Sequence, residues 1–296
     1  MDTNAMRDKI AKGDGFIAAL DQSGGSTPKA LRGYGVEDSE WSGDDEMFAK
    51  IHEMRARVIT SPSFSSGKVI GAILFEKTMD GEVDGKPTAD ALKARGVVPF
   101  IKIDQGLADE ENGVQLMKPL DKLPALLEKS VAKGMFGTKE RSVIKSANPA
   151  GIAAIVKQQF EVGDQVAAAG LMPMLEPEYD ITSADRAEGE KILRDEILKH
   201  LDALPEGRQV MLKLSIPVEP NLYAPLIAHP KVLKVVALSG GYSTDDACEH
   251  LARNKGMIAS FSRGLLQDLR KGQSDAEFDA ALGKVIDQIH AASVAG

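Results

Sequence analysis

One lysine in this chain stands where a charge is costly. Residues 209–217 read QVMLKLSIP: Val210, Met211, Leu212, Leu214 and Ile216 are apolar, Gly207 and Pro217 bound the run, and Lys213 sits in its middle. The pattern is that of a buried strand. An ammonium taken out of water must be paired, so two readings stand. Either Lys213 reaches solvent or a carboxylate at a strand end, or it is an amine of lowered pKa that attacks a carbonyl and forms a Schiff base.

Other apolar runs also end in groups that could do chemistry. They are Asp21, Lys102, Lys139 with Arg141, Glu176 with Glu178, Ser239 and Arg263. Singly, each has a structural reading: Asp21 caps a turn, Lys102 and Asp104 form an exposed strand end, Glu176 makes an ion pair. Spacing argues for more, because Lys139 and Arg141 share one face of a strand, as do Glu176 and Glu178. Together Lys102, Lys139, Arg141 and Arg263 supply cations for anionic groups. Ser239-Gly240-Gly241 has so little side-chain bulk that its backbone N–H groups can approach a phosphate. Two separated anion sites imply a substrate phosphorylated at both ends, or two phosphorylated substrates. Lys139 would lower the pKa of Lys213, Glu176 would move protons during carbinolamine dehydration, and Asp21 would take a hydroxyl proton.

Such groups must be positioned by a scaffold, and the chain repeats one unit: an apolar run ending in polar residues, then a helical stretch. The runs are Gly15–Asp21, Val69–Glu76, Val97–Asp104, Phe136–Lys145, Leu171–Glu178, Gln209–Pro217, Val232–Ser239 and Gly256–Ser262. The first is followed by a small-residue loop, QSGGSTPK, and residues 106–122 also read as loop. Helical periodicity is clear at Asp44–Val58, with Met47, Ile51, Met54 and Val58 on one face. Eight units predict an α/β fold, a single-domain (β/α)8 TIM barrel over residues 1–296, with polar strand ends at its mouth. A doubly wound open sheet is the runner-up, but QSGGS lacks the G-x-G-x-x-G spacing.

Composition narrows the class further. Of 296 residues, 43% are hydrophobic and 27% charged, with a net charge of −8, which suits an ordinary globular protein. No basic stripe or aromatic ladder points to nucleic acid, and no run is long enough to span a membrane. The single cysteine, Cys248, allows no internal disulfide, and no signal-type apolar core opens the chain, so the expected address is cytoplasmic. None of the five histidines pairs with another at ligand spacing and the lone cysteine completes no motif, which argues against a metal centre of that kind; a carboxylate-only magnesium site stays open, and no cofactor is expected.

Seven segments, GFIAALDQSGGS, VPFIKIDQG, GTKERSVIK, MPMLEPE, MLKLSIP, LSGGYS and ASFSRG, lie in one order between residues 15 and 264. In these segments the chain resembles the class I fructose-1,6-bisphosphate aldolases in their short bacterial form. The resemblance implies a (β/α)8 barrel without metal that reversibly cleaves fructose 1,6-bisphosphate, in glycolysis or gluconeogenesis. It implies Lys213 as the Schiff-base lysine, Asp21 as the acceptor of the C4-hydroxyl proton, and Glu176 as the acid of imine formation. Glu178 matches the second acid of that segment, Lys139 the lysine that contacts intermediates, and Arg141 its neighbour. Lys102, Ser23 and Ser26 match the 6-phosphate site; Ser239, Gly240 and, across a small gap, Arg263 match the 1-phosphate site. Gln22 departs from the family, where many members have glutamate, and so does Ala30, where animal members have a phosphate-binding arginine. The animal enzymes also end in a tyrosine, whereas the last tyrosine here is Tyr242.

Alternatives of other kinds are a transaldolase or deoxyribose-phosphate aldolase type of enzyme, and a non-catalytic phosphosugar-binding scaffold. The double set of anion-binding candidates counts against the first. The presence of Lys213, Asp21 and Glu176 together counts against the second. Expected partners are small-molecule sugar phosphates, with neither nucleic acid nor membrane, and the oligomeric state, a homo-oligomer included, stays open.

Overall fold

The computed structural model describes residues 1–296. Eight parallel strands form the barrel: β1 Phe16–Leu20, β2 Val69–Leu74, β3 Val98–Lys102, β4 Gly137–Ile144, β5 Met174–Tyr179, β6 Val210–Ser215, β7 Val232–Leu238 and β8 Met257–Ala259. They pair in chain order, and Ala19 N donates to Phe261 O at 3.4 Å to bring the β8 side back to β1. Helices lie between the strands, as parallel pairing requires of its crossovers. No helix is long and apolar enough to cross a membrane.

Alternation along each strand sorts the side chains into two cores. Ile17, Phe100, Met174, Met211, Val236 and Ile258 belong to an inner cluster that fills the barrel. The amino-terminal helix Thr3–Lys12, which the sequence reading left unassigned, adds Met6 and Ile10 to it from below. The opposite-facing residues, such as Leu212 and Leu214, join an outer cluster of 67 buried residues beneath the helices. Burial of this apolar surface is what holds strands to helices. It also leaves the positions two residues on, toward the carboxyl ends, to form a polar layer above the inner core.

Two stretches expected as loop carry structure. Ser26–Tyr34 is a helix, so STPK of the small-residue segment is its first turn. Proline is tolerated there because those backbone N–H groups have no intrahelical acceptor. Within residues 106–122, Val114–Gln115 pairs antiparallel with Ile144 and Val143 of β4. A two-residue ladder is too short to give a periodicity.

Candidate active site

Lys213 lies on β6 with Met211 below it in the inner core, so its side chain rises into the barrel mouth. It is 4% exposed. Its Nζ stands 3.0 Å from Glu176 Oε1, and the other oxygen of that carboxylate, Oε2, stands 3.0 Å from Lys139 Nζ. Lys139 also reaches Asp21 Oδ2 at 2.7 Å and Asp104 Oδ2 at 3.8 Å. Asp104 in turn holds Lys102, whose Nζ lies 2.6 Å from Oδ1 and donates to the Asp104 carbonyl at 2.7 Å. Strands β1, β3, β4, β5 and β6 thus tie their charged ends into one buried network.

The electrostatics follow from this pairing. Burial alone would raise the Asp21 carboxyl, but the charges of Lys139 and then Lys213 outweigh it and hold the group well below the usual carboxylate range. Burial would likewise strip the proton from Lys139, yet Asp21, Glu176 and Asp104 hold its ammonium well above the ordinary value. Lys139 is therefore a charged fixture serving three carboxylates, rather than a cation left over for an anionic ligand. Arg141 is half-buried and bonds Glu178 through Nε, so burial is opposed and its guanidinium stays firmly charged.

These groups line a cavity of about 980 Å³. Asp21, Lys102, Lys139, Arg141, Glu176, Glu178 and Lys213 form its floor and wall. Ser23 and Ser26 line one rim. The Ser26 hydroxyl accepts from Ser23 N at 3.0 Å and donates to Ser23 O at 2.8 Å, closing a tight turn at the amino end of the helix that follows. Ser239, Gly240 and Arg263 line the other rim, with Gly241 just outside it beside the Arg263 guanidinium. Gly240 is left-handed at φ 61°, and a Cβ there would lie 2.6 Å from Ile181 Cγ2, so only glycine makes this turn. No group of three or more His, Cys, Asp or Glu side chains is arranged to hold a metal ion.

With the geometry in place, comparison with known proteins identifies the family. A family model described as glycolytic fructose-bisphosphate aldolase class-I matches residues 3–212. The chain belongs to the class-I fructose-bisphosphate aldolases. Its fold is similar to that of fructose-bisphosphate aldolase from Plasmodium falciparum, solved with TRAP and a small-molecule inhibitor. That match has a TM-score of 0.79 at 19% identity and covers 99% of this chain and 94% of the other. A more distant likeness is Cgl0159 from Corynebacterium glutamicum, with a TM-score of 0.53 at 14% identity, covering 98% and 92%. The family match ends one residue before Lys213, so the positions of Lys213, Ser239 and Arg263 in the mouth come from the barrel geometry itself.

Three residues in or behind the candidate site were not picked out by sequence. Asp104 had been read only as part of a strand end; its separation of two from Lys102 was the available signal. Arg55 is fully buried on the helix Gly43–Thr60, between Ile51 and Val58 in the i, i+4, i+7 pattern of its apolar face. It donates to Thr78 Oγ1 at 2.7 Å, Gln22 O at 2.6 Å and Gln22 Oε1 at 3.1 Å, and meets no carboxylate within bonding reach. Burial pulls its guanidinium down to about 10 while the charge of Asp21 opposes that. Gln22 Nε2 donates onward to Ser262 Oγ at 2.6 Å, so Arg55 clamps the β1 and β8 loops from behind. The third residue is Ser260, buried just past the end of β8 and lining the cavity.

Proposed function

We propose that the protein cleaves fructose 1,6-bisphosphate reversibly to dihydroxyacetone phosphate and glyceraldehyde 3-phosphate through a Schiff base on Lys213. The observation that carries this reading is the buried Lys213–Glu176 contact at 3.0 Å, at the floor of a cavity with basic or N–H-rich groups on both rims. Glu176 accepts a proton from the Lys213 ammonium, and the free amine attacks the C2 ketone. The same carboxyl group returns a proton to the carbinolamine oxygen, which leaves as water. The 1-phosphate faces Ser239, Gly240 and Arg263, and the 6-phosphate faces Ser23, Ser26 and Lys102.

Cleavage of C3–C4 sends its electron pair into the protonated imine and leaves a neutral enamine. Asp21 takes the C4-hydroxyl proton as the aldehyde forms. A carboxylate so strongly acidified is a weak base at the outset; Lys139 depresses it most and stays charged, but the second depressing charge, on the Lys213 nitrogen, disappears as the enamine forms. Proton transfer to Asp21 therefore becomes easier as the bond breaks. Lys139 stays charged throughout and bridges Asp21 and Glu176. The same reading places the enzyme in the cytoplasm, where its one cysteine stays reduced.

Borohydride added with dihydroxyacetone phosphate tests the reading. The expected result is one reduced adduct that maps to Lys213, absent from a folded Lys213→Met protein that also lacks turnover. An adduct on Lys102 or Lys139, or an active Lys213→Met protein, would overturn it.

A further inference from the structure

Nine buried side-chain polar atoms in the protein have no hydrogen-bond partner, and only two of them belong to residues that line the cavity: Glu176 Oε2 and Ser260 Oγ. Glu176 Oε2 has the Lys139 ammonium at 3.0 Å. That leaves the Ser260 hydroxyl as the one cavity-lining group that is buried and has nothing to bond. Ser260 is 2% exposed, and a buried hydroxyl with no partner is destabilising.

The fold aims this hydroxyl inward. Ile258 is in the inner core, and Ser260 lies two residues on, on the same face. Ser260 N donates to Ala237 O at 2.7 Å, which fixes the backbone against β7. In register, Lys213 pairs with Val236, and Val236 with Ile258, so Ser260 stands one inward-facing step above the row that holds the amine. On one side is β7, which runs on to Ser239 and Gly240. On the other is β1, which is followed directly by Asp21. A sugar phosphate anchored at Ser239 and Gly240, bonded to Lys213 and deprotonated by Asp21 must pass in front of β8.

We propose that Ser260 is a substrate-binding residue whose hydroxyl bonds a hydroxyl oxygen of the sugar carbon chain; this rests on the function proposed above. The chemistry it would recognise is a polyhydroxylated chain between phosphate groups, and a deoxy chain at that carbon would leave Ser260 unpaired. Its lack of a protein partner is then the mark of a group kept for the ligand at the expense of stability.

Ser260→Ala tests this with two readouts that together separate a ligand-binding serine from a structural one. The melting temperature without substrate is expected to be equal to or above that of the wild type, because the variant loses an unpaired buried hydroxyl. The kcat/KM for fructose 1,6-bisphosphate is expected to fall about three- to tenfold, the scale of one hydrogen bond. A lowered melting temperature with unchanged kcat/KM would show that the hydroxyl serves the fold through a bound water, and would overturn the proposal. So would unchanged values of both, or a loss of both together. A wild-type protein that does not cleave fructose 1,6-bisphosphate defeats the function reading itself, and this proposal with it, whereas an active wild type with an unaffected variant defeats Ser260 alone.

Discussion

Lys213 and Lys139 are held on opposite oxygens of one carboxylate, each 3.0 Å from Glu176. On the proposed mechanism the arrangement gives one acid two duties: receiving a proton from the amine that reacts and neutralising the amine that does not. Glu176→Gln keeps the shape and removes both. It should slow imine formation by roughly 10²-fold or more, the scale of a lost acid–base group. Rapid-quench borohydride trapping measures that step directly. It should also destabilise the fold by about 3 kcal/mol, since two buried ammonium groups lose their shared counter-ion. A variant that traps the imine at the wild-type rate would show that Glu176 is only a counter-ion.

On the same mechanism Asp21 has a different duty, and its variant should fail at a different step. Asp21→Asn is expected to form the imine with dihydroxyacetone phosphate yet cleave fructose 1,6-bisphosphate roughly 10²-fold more slowly. Its depressed pKa also has a consequence for stability. The folded carboxyl ionises at lower pH than the unfolded one, so its contribution is present above about pH 3.9 and is lost as pH falls from there toward the folded value. Acid unfolding curves of the Asn variant should accordingly be flatter over that range.

Lys102 is paired with Asp104, whose carboxylate lies 2.6 Å away. A phosphate that reaches Lys102 must share or displace that partner. Lys102→Ala should lower kcat/KM for fructose 1,6-bisphosphate more than for fructose 1-phosphate, because only the first carries a 6-phosphate. Equal losses on the two substrates would move Lys102 out of the 6-phosphate site.

Glu140, on the outer face of β4, is fully buried and has only the Thr138 hydroxyl, which donates to it at 3.2 Å. Burial pushes its carboxyl well above the usual range, against the pull of that hydrogen bond. The unfolded chain ionises this group near pH 4.3, while the folded chain holds the proton to higher pH. Between those values the folded state binds more protons, so stability falls as pH rises. Glu140→Gln keeps the acceptor for Thr138 and abolishes the ionisation. Its melting temperature should exceed the wild type's by a margin that widens from about pH 4.3 upward, as scanning calorimetry at several pH values would show. A constant margin would mean that Glu140 is ionised in the fold.

The eight strands and the charged mouth were legible because a barrel strand states its own orientation. Lys213 between Leu212 and Leu214, or Lys139 and Arg141 two apart, carries its facing in the spacing. What stayed hidden depended on other strands. That Lys139 is shared among Asp21, Glu176 and Asp104 requires four strand ends at one height, and register is not written in any single strand. Arg55 was obscured because its helix reads as amphipathic without it. Ser260 was obscured because a serine near a strand end is ordinary until its lack of a partner is known.

Arg55 and Gln22 constrain the order in which this loop can change over evolutionary time. A glutamate at position 22 would put a carboxylate oxygen where Gln22 Oε1 now lies, 3.1 Å from the Arg55 guanidinium, and would give that cation an ionic partner. The same glutamate in a chain already without Arg55 would be a charge with no partner behind the loop, and should be selected against. Exchange of Gln for Glu at position 22 is therefore compensated only while Arg55 remains, and it forfeits the bonds that Gln22 Nε2 donates to Ser262 Oγ and the Ala19 carbonyl. Loss of Arg55 is tolerable only from the Gln background and only after Thr78 and the Gln22 carbonyl find other donors. Lineages should keep the arginine through many changes of its neighbour, with the reverse sequence of events rare.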